Sequence, residues 1–160
     1  MSELHKKLKE KFSQAVEEIH SQHGDETVVI RREALLEIAN FLKADPAFDL
    51  NVLMDVTAVD GLGMGWTPRF EVIYHFLSLR RNHRLRLKIR VDEKDAVVPT
   101  LTGLWHSANW FEREAWDMFG IRFDGHPNLK RILMYEPFEG HPLRKDYLHD
   151  KRQPLVGPKN

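Results

Sequence analysis

Over the first twenty positions the apolar residues Leu4, Leu8, Phe12, Ala15, Val16 and Ile19 recur at three- and four-residue spacing among lysines and glutamates. That is the stripe of an amphipathic helix, expected to end near His23 and Gly24. Thr27-Val28-Val29-Ile30 is a short β-type run, and Leu35, Leu36, Ile38, Ala39 and Leu42 form a second helical stripe closed by Asp45-Pro46. Strand-like runs follow at Leu50 to Val59, Phe70 to Leu79 and Arg84 to Val91. Their order and turn-rich connections predict an antiparallel meander.

The first of those connections, Asp60 to Pro68, is rich in glycine but joins two strands, so it reads as a mobile hairpin loop and not as a phosphate cradle. The last strand alternates, with Arg84, Arg86, Lys88 and Arg90 on one face and Leu85, Leu87, Ile89 and Val91 on the other. A basic sheet face suggests RNA, but it lacks the aromatic residues on which bases stack. A solvated face, or one paired with acids, is the better reading.

Pro99 predicts the first turn of a short helix through Leu104, and Ser107 or Asn109 a cap for the next helix, with Glu112 as capping-box partner of Asn109. That helix carries Trp110 to Phe119 and stops at Gly120. Beyond Gly120 prolines concentrate and no helix or strand period persists. So long an irregular stretch is unusual inside a domain. We therefore expect an α+β globular domain over 1–120, two layers with helices on one face of a mixed, largely antiparallel sheet, and an extended partner-binding tail over 121–160. Truncation after Gly120 is expected to leave a folded domain that no longer assembles.

Composition narrows the function. Lysine plus arginine balances aspartate plus glutamate at 24 each, so no net field draws nucleic acid or lipid. The absence of cysteine removes thiolate-held zinc and iron–sulfur clusters. The N-terminus lacks the basic start and apolar stretch of a signal peptide, and there is no uninterrupted apolar run of about eighteen residues.

The densest block, Trp110 to Ile121, mixes aromatics with Glu112, Arg113, Glu114 and Asp117, so some charges must lie desolvated between rings and need partners. Arg113 with Asp117 at i+4 is the internal candidate, while Glu114 is expected to meet a base of the tail or of another chain. Next, Phe123-Asp124-Gly125-His126-Pro127 recurs as Phe138-Glu139-Gly140-His141-Pro142, and each copy is followed by a basic pair, Lys130-Arg131 and Arg144-Lys145. Glycine permits positive φ and proline confines the preceding histidine, so each copy predicts a rigid turn that displays an imidazole.

Glu112-Arg113-Glu114 with Asp117, Phe119-Gly120-Ile121, Gly125-His126-Pro127, Leu129, Arg131-Ile132-Leu133 and Gly140 to Asp146 together resemble the signature of the C-subunit (30 kDa) family of proton-pumping NADH:quinone oxidoreductases, complex I. The likeness covers roughly Leu50 to Asp146; Leu148-His149 departs from it, where many relatives place a proline after the aromatic. The resemblance implies a structural subunit of the enzyme's hydrophilic arm without a cofactor of its own, FMN and iron–sulfur clusters being held by partner subunits. NADH and quinone would be substrates of the whole complex. It also implies a peripheral position on the cytoplasmic face of the bacterial inner membrane, and contact with the D subunit above all and with the B and I subunits. An interface role would fall to Glu112, Arg113, Glu114, Asp117, Gly120, Phe123, Gly125, His126, Pro127, Arg131, Phe138, Gly140, His141, Pro142, Arg144, Lys145 and Asp146. Related membrane-bound hydrogenases share the module. The leading rival from another class is a metal or hydrolytic enzyme built on His106, Glu112, Glu114, Asp117, His126 and His141. No His-Glu-x-x-His spacing or nucleophile elbow supports it.

Overall fold

The computed structural model describes residues 3–154. Its elements run α1 (Glu3–Lys11), β1 (Val16–His20), β2 (Thr27–Ile30), α2 (Leu35–Ala44), β3 (Val52–Asp60), β4 (Phe70–Ser78), β5 (His83–Val91), β6 (Val97–Pro99), α3 (Ala108–Phe119) and β7 (Arg122–Asp124). The first five strands form one sheet in the order β1-β2-β5-β4-β3. The meander β3-β4-β5 is antiparallel as expected, and β2 joins β5 in parallel.

The opening helix is shorter than its apolar spacing suggested. It ends at Lys11; after a turn at Phe12 to Ala15, Val16–His20 is a strand paired antiparallel to β2. The cause is a β-bulge between Val16 and Glu18, which sets Val16 opposite Ile30 and Ile19 opposite Val28. One extra residue brings side chains three apart onto the same face of a strand, where two apart is normal. The bulge thus imitates a helical repeat.

One face of the sheet, including Val28, Ile30, Val56, Phe70, Val72, Tyr74, Phe76, Leu85, Leu87 and Ile89, meets Leu8 of α1, Leu35, Ile38 and Leu42 of α2 and Ala108, Ala115 and Met118 of α3 in one continuous core. This is the two-layer α+β arrangement. The other face is a ladder of charges in which Arg86 pairs with Asp25, Lys88 with Glu71, and Arg90 with both Glu71 and Glu18. The basic row of β5 is therefore neutralised largely within the chain.

Pro99 does not open a helix. It ends β6, which pairs in parallel with β7 as Val97 with Arg122, Val98 with Phe123 and Pro99 with Asp124. The chain then turns through Leu101 to Leu104 into α3, where the Ser107 hydroxyl donates to the Leu53 carbonyl instead of capping the helix. The capping box is absent too, because the Glu112 carboxylate turns inward to Thr100 and Leu101.

Candidate functional site

Helix α3 collects most of the chemistry-bearing residues, and residues 122–147 wrap around it as a strap. Gly120 ends the helix with φ +77°, the left-handed conformation that favours glycine. The last carbonyls of a helix have no partner inside it. Here each finds one: Trp116 accepts from the Gly120 N–H, Asp117 from the His141 ring at 3.0 Å, Met118 from the Leu143 N–H at 3.0 Å, and Phe119 from Arg144 Nε at 2.6 Å. The second copy of the repeated motif is thus the C-terminal cap of α3.

The first copy serves the helix near its other end. His126 Nδ1 accepts the Asn128 N–H at 3.0 Å, so Nε2 is the protonated nitrogen and donates to the Asn109 carbonyl at 3.1 Å. His141 uses its opposite nitrogen, Nδ1, toward Asp117. Burial and the nearby cations Arg144 and Arg131 hold the His141 ring below the ordinary imidazole range against the pull of the Asp117 carbonyl. Gly125 and Gly140 adopt φ of +79° and +90°, which lets each chain segment double back toward the helix.

Asp117, fully buried, is the anchor of the strap. Its Oδ2 accepts three consecutive backbone N–H groups, from Ile132 at 3.0 Å and from Leu133 and Met134 at 2.9 Å, while Oδ1 takes Arg131 Nη1 at 2.5 Å. Successive amides aimed at one oxygen form an anion nest, filled here by the protein's own carboxylate. Burial pushes this carboxyl up, and the donors from Met134, Arg131, Ile132 and Leu133 outweigh it and hold it below the usual carboxylate range. The expected Arg113–Asp117 pair does not form. Arg131 takes Asp117 in a tertiary contact and also donates to the Phe138 and Gly140 carbonyls, while Arg113 donates to the carbonyls of Lys130 and Arg131.

A second anchor lies at the neck of the glycine-rich loop. Buried Asp60 accepts Arg69 through Nε at 2.9 Å and Nη2 at 2.6 Å, the Leu62 N–H at 2.9 Å and the Lys145 N–H at 2.8 Å. Arg69 also grips Asp146 and Glu93. The Arg69 hydrogen bonds hold Asp60 far below its ordinary range against the penalty of burial. Arg69 and Arg144 both lie over the Phe70 ring, at 4.8 Å and 5.2 Å from its centre.

The remaining signature residues divide between the interior and the surface. Phe123 is buried, and Phe138 lies between Tyr135 and Tyr147, centroids 5.5 Å and 6.0 Å away. Pro127 lines a cleft beside Trp110, Pro142 is half-buried, and Glu114 is exposed. Among the described residues no three of histidine, aspartate and glutamate converge as a metal site. The imidazoles of His126 and His141 are instead spent on backbone carbonyls. The sequence reading missed Asp60, Arg69, Glu93 and Thr100; an aspartate placed where the strand alternation calls for an inward side chain was the only signal, and it pointed to Asp60.

Residues 28–153 match the family described as respiratory-chain NADH dehydrogenase, 30 Kd subunit. The chain is 47% identical over 152 residues to the NADH-quinone oxidoreductase C subunit of Citrifermentans bemidjiense, covering 95% of this chain and 88% of that one. It is 48% identical over 136 residues to the second such C subunit of Rhizobium meliloti, covering 85% and 73%. Among solved structures, the trypsin-resistant fragment of Nqo5 superposes with a TM-score of 0.67 at 35% identity, over 79% of this chain and 98% of the fragment. A chain of an archaeal membrane-bound sulfane sulfur reductase shares the fold, with a TM-score of 0.73 at 22% identity over 92% of this chain and 85% of that one. The chain belongs to the 30 kDa subunit family of respiratory-chain NADH dehydrogenase.

Proposed function

We propose that this chain is the 30 kDa component of an NADH-quinone oxidoreductase and acts there as a scaffold of the hydrophilic arm, without a catalytic step of its own. The observation that carries the reading is the likeness to NADH-quinone oxidoreductase C subunits along 95% of the chain. The site geometry agrees with it. Asp117, Arg131, His126, His141 and Asp146 are engaged in holding the strap, so their chemistry is used to build a shape.

Apolar side chains stand exposed among the charges on the strap and beside it. Trp110 is 68% exposed, Leu133 56%, Leu143 52% and Leu148 66%. Aromatic and aliphatic side chains on a rigid support are what a stable interface needs at its centre, with charges such as Lys145 and Arg144 to orient the partner. The D subunit is the expected neighbour, with B and I, and the FMN and iron–sulfur clusters through which NADH reduces quinone are expected in partner subunits of the complex. Among the described residues no helix is long and apolar enough to cross a membrane. Attachment to the cytoplasmic face of the inner membrane would then run through the complex.

In this reading the part of the tail free to bind a partner begins beyond the strap. A cut after Gly120 removes Phe123 from the core and every tail donor to Asp117, so it unfolds more than it unhooks. A cut after Tyr147 spares these contacts and tests the distal tail. The experiment is purification of the tagged chain from its own cells in mild detergent, with identification of the recovered subunits and an assay of NADH-driven quinone reduction. Recovery of the B, D and I subunits with that activity is expected, and Trp110→Ala should lower their yield while the isolated chain keeps its stability. Recovery with a hydrogenase module, or with no partner, would overturn the reading.

A further inference from the structure

Glu112 takes no part in the strap. Its carboxyl is fully buried and accepts the Thr100 hydroxyl at 2.5 Å through Oε2 and the Leu101 N–H at 2.7 Å through Oε1. Tyr74 of β4, itself fully buried with a hydroxyl that has no hydrogen-bond partner, is the titratable group that feels its charge. Among the described residues no lysine, arginine or histidine pairs with Glu112. Two neutral donors are a poor substitute for hydration of a carboxylate, and a buried acid in such a place prefers its proton.

The surroundings also supply a route for that proton. The Thr100 hydroxyl lies 2.9 Å from the Thr102 hydroxyl, and either oxygen of that pair can donate. Thr102 in turn lines an open cleft of about 590 Å³, together with His106, Asn109, Trp110, Gly125 and Pro127. Gly125 closes over Thr100, where an added Cβ would come within 3.3 Å of the Thr100 methyl. Carboxyl, hydroxyl, hydroxyl and solvent therefore lie in one line of contacts that runs from the core to the surface.

We propose that Glu112 is a proton-binding site of the folded subunit, exchanging its proton with solvent in the cleft beside Trp110 through the hydroxyls of Thr100 and Thr102. In uptake, Thr102 accepts a proton from solvent and passes its own to Thr100, and Thr100 passes its own to Glu112 Oε2. Release runs the same three transfers backward, leaving each hydroxyl reoriented and the carboxylate charged. No electrons move, and no other reactant is needed. Burial pushes the Glu112 carboxyl up to about 7, despite the Thr100 and Leu101 hydrogen bonds that pull it down. The site would then change charge within the physiological range. It belongs to the folded chain by itself and is independent of the assembly reading.

The test is carboxyl-carbon NMR of the full chain with ¹³C-labelled glutamate, followed from roughly pH 4 to roughly pH 9, a range that brackets ordinary glutamates and a raised one. One resonance should titrate near neutrality, well above the others, and be missing in Glu112→Gln. Should that variant fail to fold, correlation to the Glu112 backbone amide identifies the resonance in the unaltered chain. Thr102→Val cuts the route two bonds from the carboxyl, so the midpoint should hold while the resonance broadens or splits as exchange slows. A Glu112 carboxyl that titrates in the usual range, or that does not titrate at all, overturns the site. Line shapes unchanged in Thr102→Val overturn the route.

Discussion

Two carboxyls five positions apart on α3 both lack exposed surface and behave in opposite ways. Asp117 faces three strap amides and a guanidinium and is held as a carboxylate. Glu112 faces one hydroxyl and one amide and is pushed toward its neutral form. Lack of exposure alone therefore says little about charge; the balance between depth of burial and the number and kind of donors decides it. The same comparison separates two jobs along one helix. The C-terminal half binds the strap through a fixed charge, and the N-terminal half holds a charge that can come and go.

The largest expected effect is on the fixed charge. Asp117→Asn leaves Arg131 without its carboxylate and the amide nest half filled, and breaking one side of a buried pair costs about 3–5 kcal/mol. Chemical denaturation should show a large drop in midpoint, and a change below about 1 kcal/mol would mean that the strap is held elsewhere. Next comes the pH dependence of Glu112. Its proton is kept to about pH 7 in the folded chain and lost near 4.5 when unfolded, so its contribution is full below pH 4.5 and disappears as pH rises through 7. Glu112→Gln, which mimics the neutral form, should gain on the parent chain as pH rises between those values, by roughly 3 kcal/mol in all. Melting temperatures measured at both ends of the range check the sign.

A smaller effect is expected at Gly120. Alanine there must hold a left-handed backbone, and its Cβ would come within 2.7 Å of Arg144 and His141. A loss of about 2 kcal/mol is expected, together with faster amide exchange along the strap. The smallest is His126→Ala, which removes the hydrogen bond to the Asn109 carbonyl and the exposed one from the Asn128 N–H and should cost about 1 kcal/mol. His141→Ala should cost more, since that ring also packs edge-on against Trp116 and fills the space over Gly120.

Much of this architecture was legible in the chain itself. The strand-like runs with their turn-rich connections, the alternation in β5 and the glycine that ends α3 are local signals, and the meander and the helix end both followed from them. The pairing of Arg131 with Asp117, fourteen positions away, has no local signature, and helix geometry favoured the nearer Arg113. Glu112 three residues after Asn109 fitted a cap, yet the Thr100 hydroxyl waiting in the core drew it inward. At Val16 and Ile19 a bulge produced the spacing of a helix, and only the pairing with Val28 and Ile30 distinguishes the two. Past Gly120 the lack of periodicity was real, but it marked a strap whose backbone groups are satisfied by side chains of the helix it crosses.

The Asp60–Arg69–Asp146 node has a consequence for the order of events during synthesis. Its partners are separated by 77 and 85 positions, and chains emerge and fold from the N-terminus first. Until Asp146 and the Lys145 amide arrive, Asp60 and Arg69 have only each other, the Leu62 N–H and Glu93 at the mouth of a hairpin that the strap has not yet covered. A nascent chain therefore keeps this corner hydrated and open to proteases until its last contacts are made. A product released early carries the same unsealed corner, which distinguishes it from a finished subunit before any partner is met.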